Sequence, residues 1–238
     1  MDFIKFPRTP HLFVVSGVSV RDDKVMTPAE AEEFLSSTVI VEEKVDGANI
    51  GISFSISGEL QFQNRGNYVT HDTHPQFKLL TDWGYKRYEL LKGALGNQYI
   101  LFGEWCYLAH SIRYTKLPDW FIGFDIYEIS TGRFLSAERR NIVLQACNIS
   151  IVPSIFNGQA DKASLLKLLD TPSLLSDESI EGVYLRSEAG GYLRSRAKIV
   201  RAGFIQTIDT HWMHKKIVHN ICLGDYQPGN PISTEVRS

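Results

Sequence analysis

Along most of the chain, hydrophobic residues alternate with polar or small ones. That period of two predicts a largely β architecture. Ile50, Ile52, Phe54 and Ile56 fall at every second position, Ser57-Gly58 interrupts them, and Leu60 and Phe62 resume the alternation. Such a run predicts an antiparallel hairpin with one face buried, rather than the opening of a βαβ unit. Val39-Ile40-Val41 predicts a strand just before it, and Leu12 to Val15 a short opening strand. Gln98 to Cys106 and Trp120 to Ile129 predict two more. Ser179 to Arg186 and Gly191 to Lys198 predict a second hairpin, turning through Glu188-Ala189-Gly190-Gly191. Helical spacing is confined to a few stretches. Thr27 as N-cap, Pro28 first and Glu30 third make a capping box for a helix over Pro28 to Leu35. Phe77, Leu80, Trp83, Arg87 and Leu91 mark a helix within Gln76 to Leu95, weakened at Gly84. Ser136 caps a helix reaching Ala146, Asp161 to Leu169 forms a shorter one ended before Pro172, and a last helical stretch falls within Phe204 to Ile217. The sum is an α+β fold, with antiparallel sheets flanked by helices.

Composition narrows the class. The 238 residues suffice for one core, or one core split between two lobes. With 43% hydrophobic and 22% charged residues, intrinsic disorder is excluded as a description of the whole. A formal net charge of −2 argues against a protein that holds nucleic acid by bulk charge, but not against a local basic cleft. Cys106, Cys147 and Cys222 are odd in number and lack a CxxC, so neither a disulfide scaffold nor a structural zinc site is expected. His71, His74 and His110, and the group His211, His214 and His219, read as ordinary surface histidines. The N-terminus does not have the layout of a signal peptide, and no run approaches the length of a membrane span. The expected address is cytoplasmic, with no membrane partner. No repeat or linker divides the chain; the expected organisation is one domain over 1–223 and a loose tail over 224–238.

The sharpest chemical feature is Lys44-Val45-Asp46-Gly47, set between two β runs. A lysine in a cleft becomes a nucleophile when burial or neighbouring cations deprotonate it. Gly47 and Ala48 leave room for a ligand to approach the backbone, and Asn49 adds an amide for a phosphate oxygen. Polar residues recur at other strand ends. Glu104 and Glu181 could hold a ribose or a divalent metal, while Arg65, Arg196 and Lys198 could neutralise phosphates. With a lysine nucleophile this set suggests nucleotidyl transfer, in which attack at an α-phosphorus needs positive charge around the phosphates.

In these motifs the chain resembles the covalent nucleotidyltransferases: ATP-dependent DNA ligases, RNA ligases and mRNA capping enzymes. It is most similar to the double-strand-type branch of the RNA ligases. The resemblance runs in order through Lys44-Val45-Asp46-Gly47 with Asn49, Asn64-Arg65-Gly66, Phe102-Gly103-Glu104-Trp105, Phe124-Asp125-Ile126-Tyr127, Glu181-Gly182-Val183-Tyr184 and Arg196-Ala197-Lys198. The last departs from the family's lysine-x-lysine, and Arg194 is an alternative register for its first cation. The resemblance implies a nucleotidyltransferase (ATP-grasp-like) domain. Only forty residues follow Lys198, too few for the OB-fold domain that often follows, so no OB-fold domain is expected.

The resemblance also implies roles. Lys44 attacks the α-phosphorus of ATP and becomes lysyl-AMP. Glu104 binds the ribose, Phe124 (or Phe121 in another strand register) stacks on adenine, and Glu43 helps read the base. Glu181 holds a divalent metal, Mg²⁺ or Mn²⁺. Lys198, with Arg196 near it, stabilises charge on the α-phosphate, and these cations lower the Lys44 pKa. Arg65 contacts the ribose or the acceptor's 5'-phosphate, Asp46 positions groups around the adenylated lysine, and Asn49 serves later steps. The implied activity is ATP-dependent joining of RNA 3'-OH and 5'-phosphate ends, nicked or base-paired, with an accessory protein or domain as a possible partner. The alternatives are a small DNA nick ligase and a non-catalytic module that binds RNA ends or nucleotides.

Overall fold

The computed structural model describes residues 3–15, 25–201 and 218–224. Its elements are, in order, α1 (Pro28–Leu35), β1 (Val39–Glu43), β2 (Ala48–Phe54), β3 (Leu60–Gln63), β4 (Tyr68–Val69), a single 3-10 turn (Pro75–Phe77), α2 (Leu80–Tyr85), α3 (Tyr88–Leu95), β5 (Tyr99–Trp105), β6 (Phe121–Glu128), β7 (Arg133–Phe134), α4 (Ala137–Ala146), β8 (Ser150–Ile151), β9 (Ser154–Gly158), α5 (Lys162–Leu168), β10 (Gly182–Ala189) and β11 (Tyr192–Val200). They build two sheets. The first runs β11-β10-β1-β9; the second runs β4-β3-β2-β5-β6-β7, with β8 added in parallel to β6. Every other ladder is antiparallel.

Both predicted hairpins form. In β2–β3, Ile52 pairs with Phe62 and Phe54 with Leu60, and Ile50, Ile52 and Phe54 are buried in the larger core. Ile56 lies outside the strand and is exposed. The β10–β11 turn is made by Gly190 and Gly191, at φ of 59° and 78°, a left-handed conformation that favours glycine. The capping box of α1 is present, with Thr27 Oγ1 accepting from the Glu30 amide and Glu30 accepting from the Thr27 amide.

Three expectations are corrected. Leu12 to Val15 is not a strand; pairing there is limited to bridges from His11 to Lys198 and Val25, flanked by the Leu12 amide donating to the Lys198 carbonyl and the Lys198 amide to the Pro10 carbonyl. The Gln76 to Leu95 helix is broken into α2 and α3. Arg87 stands at the break, buried, and donates to Asp119 at 2.7 Å, and Trp83 donates its indole N–H to the same carboxylate at 2.8 Å. The strand expected from Ser179 starts at Gly182, because Ser179 bridges Pro172 instead. The helix expected within Phe204 to Ile217 and the tail from 225 lie outside the described residues.

Each sheet buries its own apolar set. Trp83, Trp105, Phe121, Leu101 and Ile126 belong to the core of the second sheet; Val39, Val41, Val183, Leu185 and Ile199 belong to that of the first. Between the sheets runs a seam of buried charge. Arg140 of α4 donates to both Glu42 oxygens, at 3.1 and 2.6 Å, and to the Phe124 carbonyl at 2.7 Å. Asp125 on β6 accepts from Arg186, from Arg196 at 3.1 Å and from the Tyr184 hydroxyl at 3.1 Å, all from the other sheet. Asp125, Arg186, Arg140 and Glu42 are at most 1% exposed, so each charge depends on its partners for solvation.

Candidate active site

The chain crosses from the first sheet to the second at Lys44–Gly47, and a cavity of about 910 Å³ opens at this crossing. Glu43 and Lys198 line it from the first sheet, Lys44 from the crossing itself, and Asn49, Glu104 and Phe124 from the second. Arg65 reaches it from the loop after β3, where the Asn64 carboxamide oxygen accepts from the amides of Gly66 and Asn67 at 2.8 Å each and fixes the bend. Two glycines allow the strands to approach closely here. A Cβ on Gly47 would lie 2.7 Å from the Trp105 carbonyl oxygen, and one on Gly182 would lie 2.3 Å from that of Ile199.

Lys44 donates from Nζ to both oxygens of Glu181, at 2.9 and 2.8 Å, while its own amide donates to the Gly182 carbonyl at 3.0 Å. Burial alone would depress the ammonium's pKa, but Glu181, Asp46 and Glu104 together outweigh burial and hold it above its usual value. This corrects the expectation of a lowered Lys44 pKa: in the free protein its neighbours are carboxylates, and the ammonium stays charged. Burial pushes the Glu181 carboxyl up to about 7, against the pull of Lys44 and Lys198. Burial, aided by Asp46, pushes Glu104 up to about 8, although Lys44 and Arg65 oppose it.

Asp46 is the carboxylate that stays low. Its burial would raise it, but Lys44, then His110, then two hydrogen bonds from Ser111 hold it down. Ser111 donates to Asp46 Oδ2 from its amide at 2.8 Å and from its hydroxyl, and the Asp46 amide donates to the Tyr114 hydroxyl at 2.8 Å. Glu43 is buried; Ser173 Oγ donates to it at 2.6 Å, yet burial dominates and raises its carboxyl. Asn49 stands opposite Glu104 in the β2–β5 ladder, and its buried Nδ2 completes no hydrogen bond among the described residues.

The two phenylalanine registers separate cleanly. Between Phe102 and Gly103 the β5–β6 register shifts, so Phe124 is the extra residue of a bulge. The bulge lets both Phe124 and Asp125 leave the core face, Phe124 lining the cavity and Asp125 joining the ionic seam. Phe121 stays in the core, 5.3 Å from the Trp83 ring.

Arg196 does not reach the cavity wall. Its guanidinium bonds Asp125 and lies 4.0 Å from the Phe134 ring centre and 4.9 Å from that of Phe6. Arg194 points elsewhere, to Glu33 at 2.8 Å, and the nearest strand cation in the cavity is Lys198. Sequence reasoning missed Glu42, Tyr184, Phe6 and Thr9 as lining residues, and Ser111 and Tyr114 as the partners of Asp46. Tyr184 was within reach, since it closes the Glu181-Gly182-Val183-Tyr184 motif.

With this geometry in place, comparison with known proteins is specific about class. Residues 37–200 match the RNA ligase family, which is more than half of the chain, and the chain belongs to that family. Among solved structures it shares the fold of the Naegleria gruberi RNA ligase crystallised with PPi, with a TM-score of 0.58 and 19% identity over 75% of this chain and 53% of that one. A lysine-to-alanine variant of the same enzyme, with ATP and Mn, matches at a TM-score of 0.53 and 16% identity, over 74% of this chain and 53% of that one. A protein of Aquifex aeolicus provisionally named an ATP-dependent DNA ligase matches at 0.56 and 18% identity, over 87% of this chain and 52% of that one. The chain thus spans about half the length of these structures. No match emerged among curated protein sequences. Among the described residues, no helix is long and apolar enough to cross a membrane, and no three His, Cys, Asp or Glu side chains are grouped to hold a metal.

Proposed function

We propose that this chain is an ATP-dependent RNA ligase that joins 3'-OH and 5'-phosphate ends through a lysyl-AMP on Lys44. The observation that carries the reading is one cavity lined by Lys44, Glu104, Arg65, Phe124 and Lys198, with Glu181 paired to Lys44 beside it, in a chain of the RNA ligase family. The neighbour crystallised with ATP and Mn adds support for the nucleotide and for a divalent ion.

In the first step Lys44 Nζ, having lost a proton, attacks the α-phosphorus of ATP. A P–N bond forms, the bond to the pyrophosphate oxygen breaks, and pyrophosphate leaves. A 5'-phosphate oxygen of RNA then attacks the same phosphorus, breaking the P–N bond and regenerating the lysine. In the third step the 3'-OH attacks the 5'-phosphate, a phosphodiester forms and AMP departs. Lys198 places positive charge at the phosphates, Phe124 offers a ring face to the base, and the Asn49 amide supplies a donor still open to an acceptor oxygen.

The donor chemistry also fits a divalent ion. Mg²⁺ and Mn²⁺ prefer oxygen ligands, and Mg²⁺ commonly takes one or two carboxylates together with substrate phosphates. Glu181 would hold it, and when bound it would offset phosphate charge and draw Glu181 away from Lys44. The resting ion pair has to open before Lys44 can act, because an ammonium is not a nucleophile.

The test is covalent labelling of the chain with ATP bearing a labelled α-phosphate, in Mg²⁺ or Mn²⁺. Label from ATP alone, absent in Lys44→Ala and released by acid, is the expected result. A folded chain that stays unlabelled after pyrophosphate pretreatment sinks the reading in favour of a binding module. Sealing of matched RNA and DNA nicks separates the RNA ligase from the small DNA ligase. The accessory partner, the single domain over 1–223 and the cytoplasmic address belong to this proposal as well.

A further inference from the structure

Asp46 is fixed by a loop, and that loop is fixed by a residue far beyond the matched family region. Residues 106–117 contain no helix or strand, yet they present Ser111 and Tyr114 to Asp46. An irregular loop keeps such geometry only if its backbone groups are paired.

Asn220 supplies the pairing. It is 4% exposed, and its carboxamide oxygen accepts from the Tyr114 amide at 2.8 Å. Its Nδ2 donates to the Cys106 carbonyl at 2.8 Å and the Leu108 carbonyl at 3.2 Å. One side chain therefore staples both ends of the 106–114 turn. Backbone bonds add to it: the Ala109 amide donates to the Val218 carbonyl at 2.9 Å, and the Ile221 amide to the Tyr114 carbonyl at 2.9 Å. Among the described residues the hydrogen bonds to the Asp46 side chain come from Ser111, so its orientation is inherited from this loop.

We infer that Asn220 is a positioning residue of the active site, acting through Ser111 and Tyr114 to orient Asp46 beside Lys44. The inference rests on the proposed lysyl-AMP chemistry. It assigns the segment 218–224, outside the matched 37–200, to the catalytic unit. A general stabilising role would lower stability and leave the chemistry of the folded molecules unchanged. Positioning lowers the rate of lysine adenylation in molecules that remain folded and still bind ATP.

The experiment is single-turnover adenylation of the full chain at saturating and limiting ATP, with thermal melting beside it. The variants are Asn220→Ala, Ser111→Ala and the double. Asn220→Ser is the second variant: it buries no charge, and its short hydroxyl cannot span both ends of the turn. Misplacing a reacting group by an ångström costs up to about 100-fold. Asn220→Ala is expected to lose at least about tenfold in maximal rate, with half-saturating ATP changed less than about threefold. The double variant should fall no further than Asn220→Ala, because both changes sever one route to Asp46. Should Asn220→Ala fail to fold, the same rate loss in folded Asn220→Ser carries the test. A folded Asn220 variant with wild-type maximal rate overturns the inference, and so do losses that multiply in the double variant. A wild-type chain that never labels overturns both this inference and the function on which it rests, whereas labelling in wild type with unimpaired Asn220 variants overturns this inference alone.

Discussion

Replacing Glu181 by glutamine should free the Lys44 amine. The two groups meet at 2.8 Å, where full charges in an effective dielectric of 20 attract by about 6 kcal/mol. The realised effect is smaller, because Glu181 is raised to about 7 and so is only partly ionised at neutral pH. Asp46 and Glu104 also remain to favour the ammonium. If one third of the attraction is lost, the Lys44 pKa falls by about 1.5 units at 1.36 kcal/mol per unit. Burial, no longer opposed by its strongest partner, pushes the same way. The assay is mass-spectrometric measurement of Lys44 modification by an amine-reactive reagent across pH, which does not depend on ligation. The midpoint should move down by about 1–2 units in Glu181→Gln, while an exposed lysine stays fixed. A midpoint that holds still, or moves up, would refute the view that Glu181 keeps Lys44 charged at rest.

Asp125→Asn should destabilise the protein by about 3–5 kcal/mol in urea unfolding, because two buried guanidiniums lose their shared anion. Despite burial, Arg186 and Arg196 hold the Asp125 carboxyl below its usual value, so its contribution is present above the unfolded pKa and disappears as pH falls through the folded one. The gap between wild type and Asp125→Asn should therefore close in strong acid, and a gap constant down to such pH would count against the assignment. Glu104 has the opposite sign. Its carboxyl is raised to about 8, so the folded state holds a proton that the unfolded state has lost, and stability declines between about pH 4.5 and 8. Glu104→Gln should flatten that decline by about 2–4 kcal/mol while weakening nucleotide binding, and an unchanged pH profile would contradict it. Gly182→Ala should cost about 1–3 kcal/mol or more, since its Cβ would sit 2.3 Å from the Ile199 carbonyl oxygen; a neutral result in thermal melting would show that β10 and β11 can part.

The parts of the fold readable from sequence are those governed by local rules. Period-two alternation marks both hairpins, and side-chain caps mark α1, α4 and α5. The five motif positions Lys44, Arg65, Glu104, Phe124 and Lys198 line one cavity: four lie at or near strand ends, and Phe124 sits at the bulge of β6. What stayed hidden depends on contacts distant in sequence. Arg196 has the residue type of a phosphate ligand, but Asp125, 71 positions away, claims it. Arg140 looks like a solvated helix residue until its partner Glu42, 98 positions away, is seen. The bulge that separates Phe124 from Phe121 shifts the register by one residue, which a strict alternation cannot represent. Ser111 and Tyr114 sit in a loop without periodicity, so no pattern draws attention to them. The charge of Lys44 is not legible in the sequence, because its pKa combines burial with the fields of three carboxylates, Glu181, Asp46 and Glu104, brought together from distant parts of the chain.

The crossing of the chain from one sheet to the other at Lys44–Gly47 has a consequence for how this molecule can fail. Neither sheet owns all of the cavity's polar groups, so on the proposed chemistry damage anywhere along the seam need not touch ATP to silence the lysine. A substitution at Arg186 or Asp125 that leaves each sheet intact but lets them slip by an ångström would score as an enzymatic lesion, though its origin is mechanical. On the proposed chemistry, adenylation of Lys44 would be a gauge of alignment between two halves of one protein. Loss-of-function changes should accordingly form a line along the buried arginines and carboxylates of the seam, well beyond the ring of residues around the nucleotide.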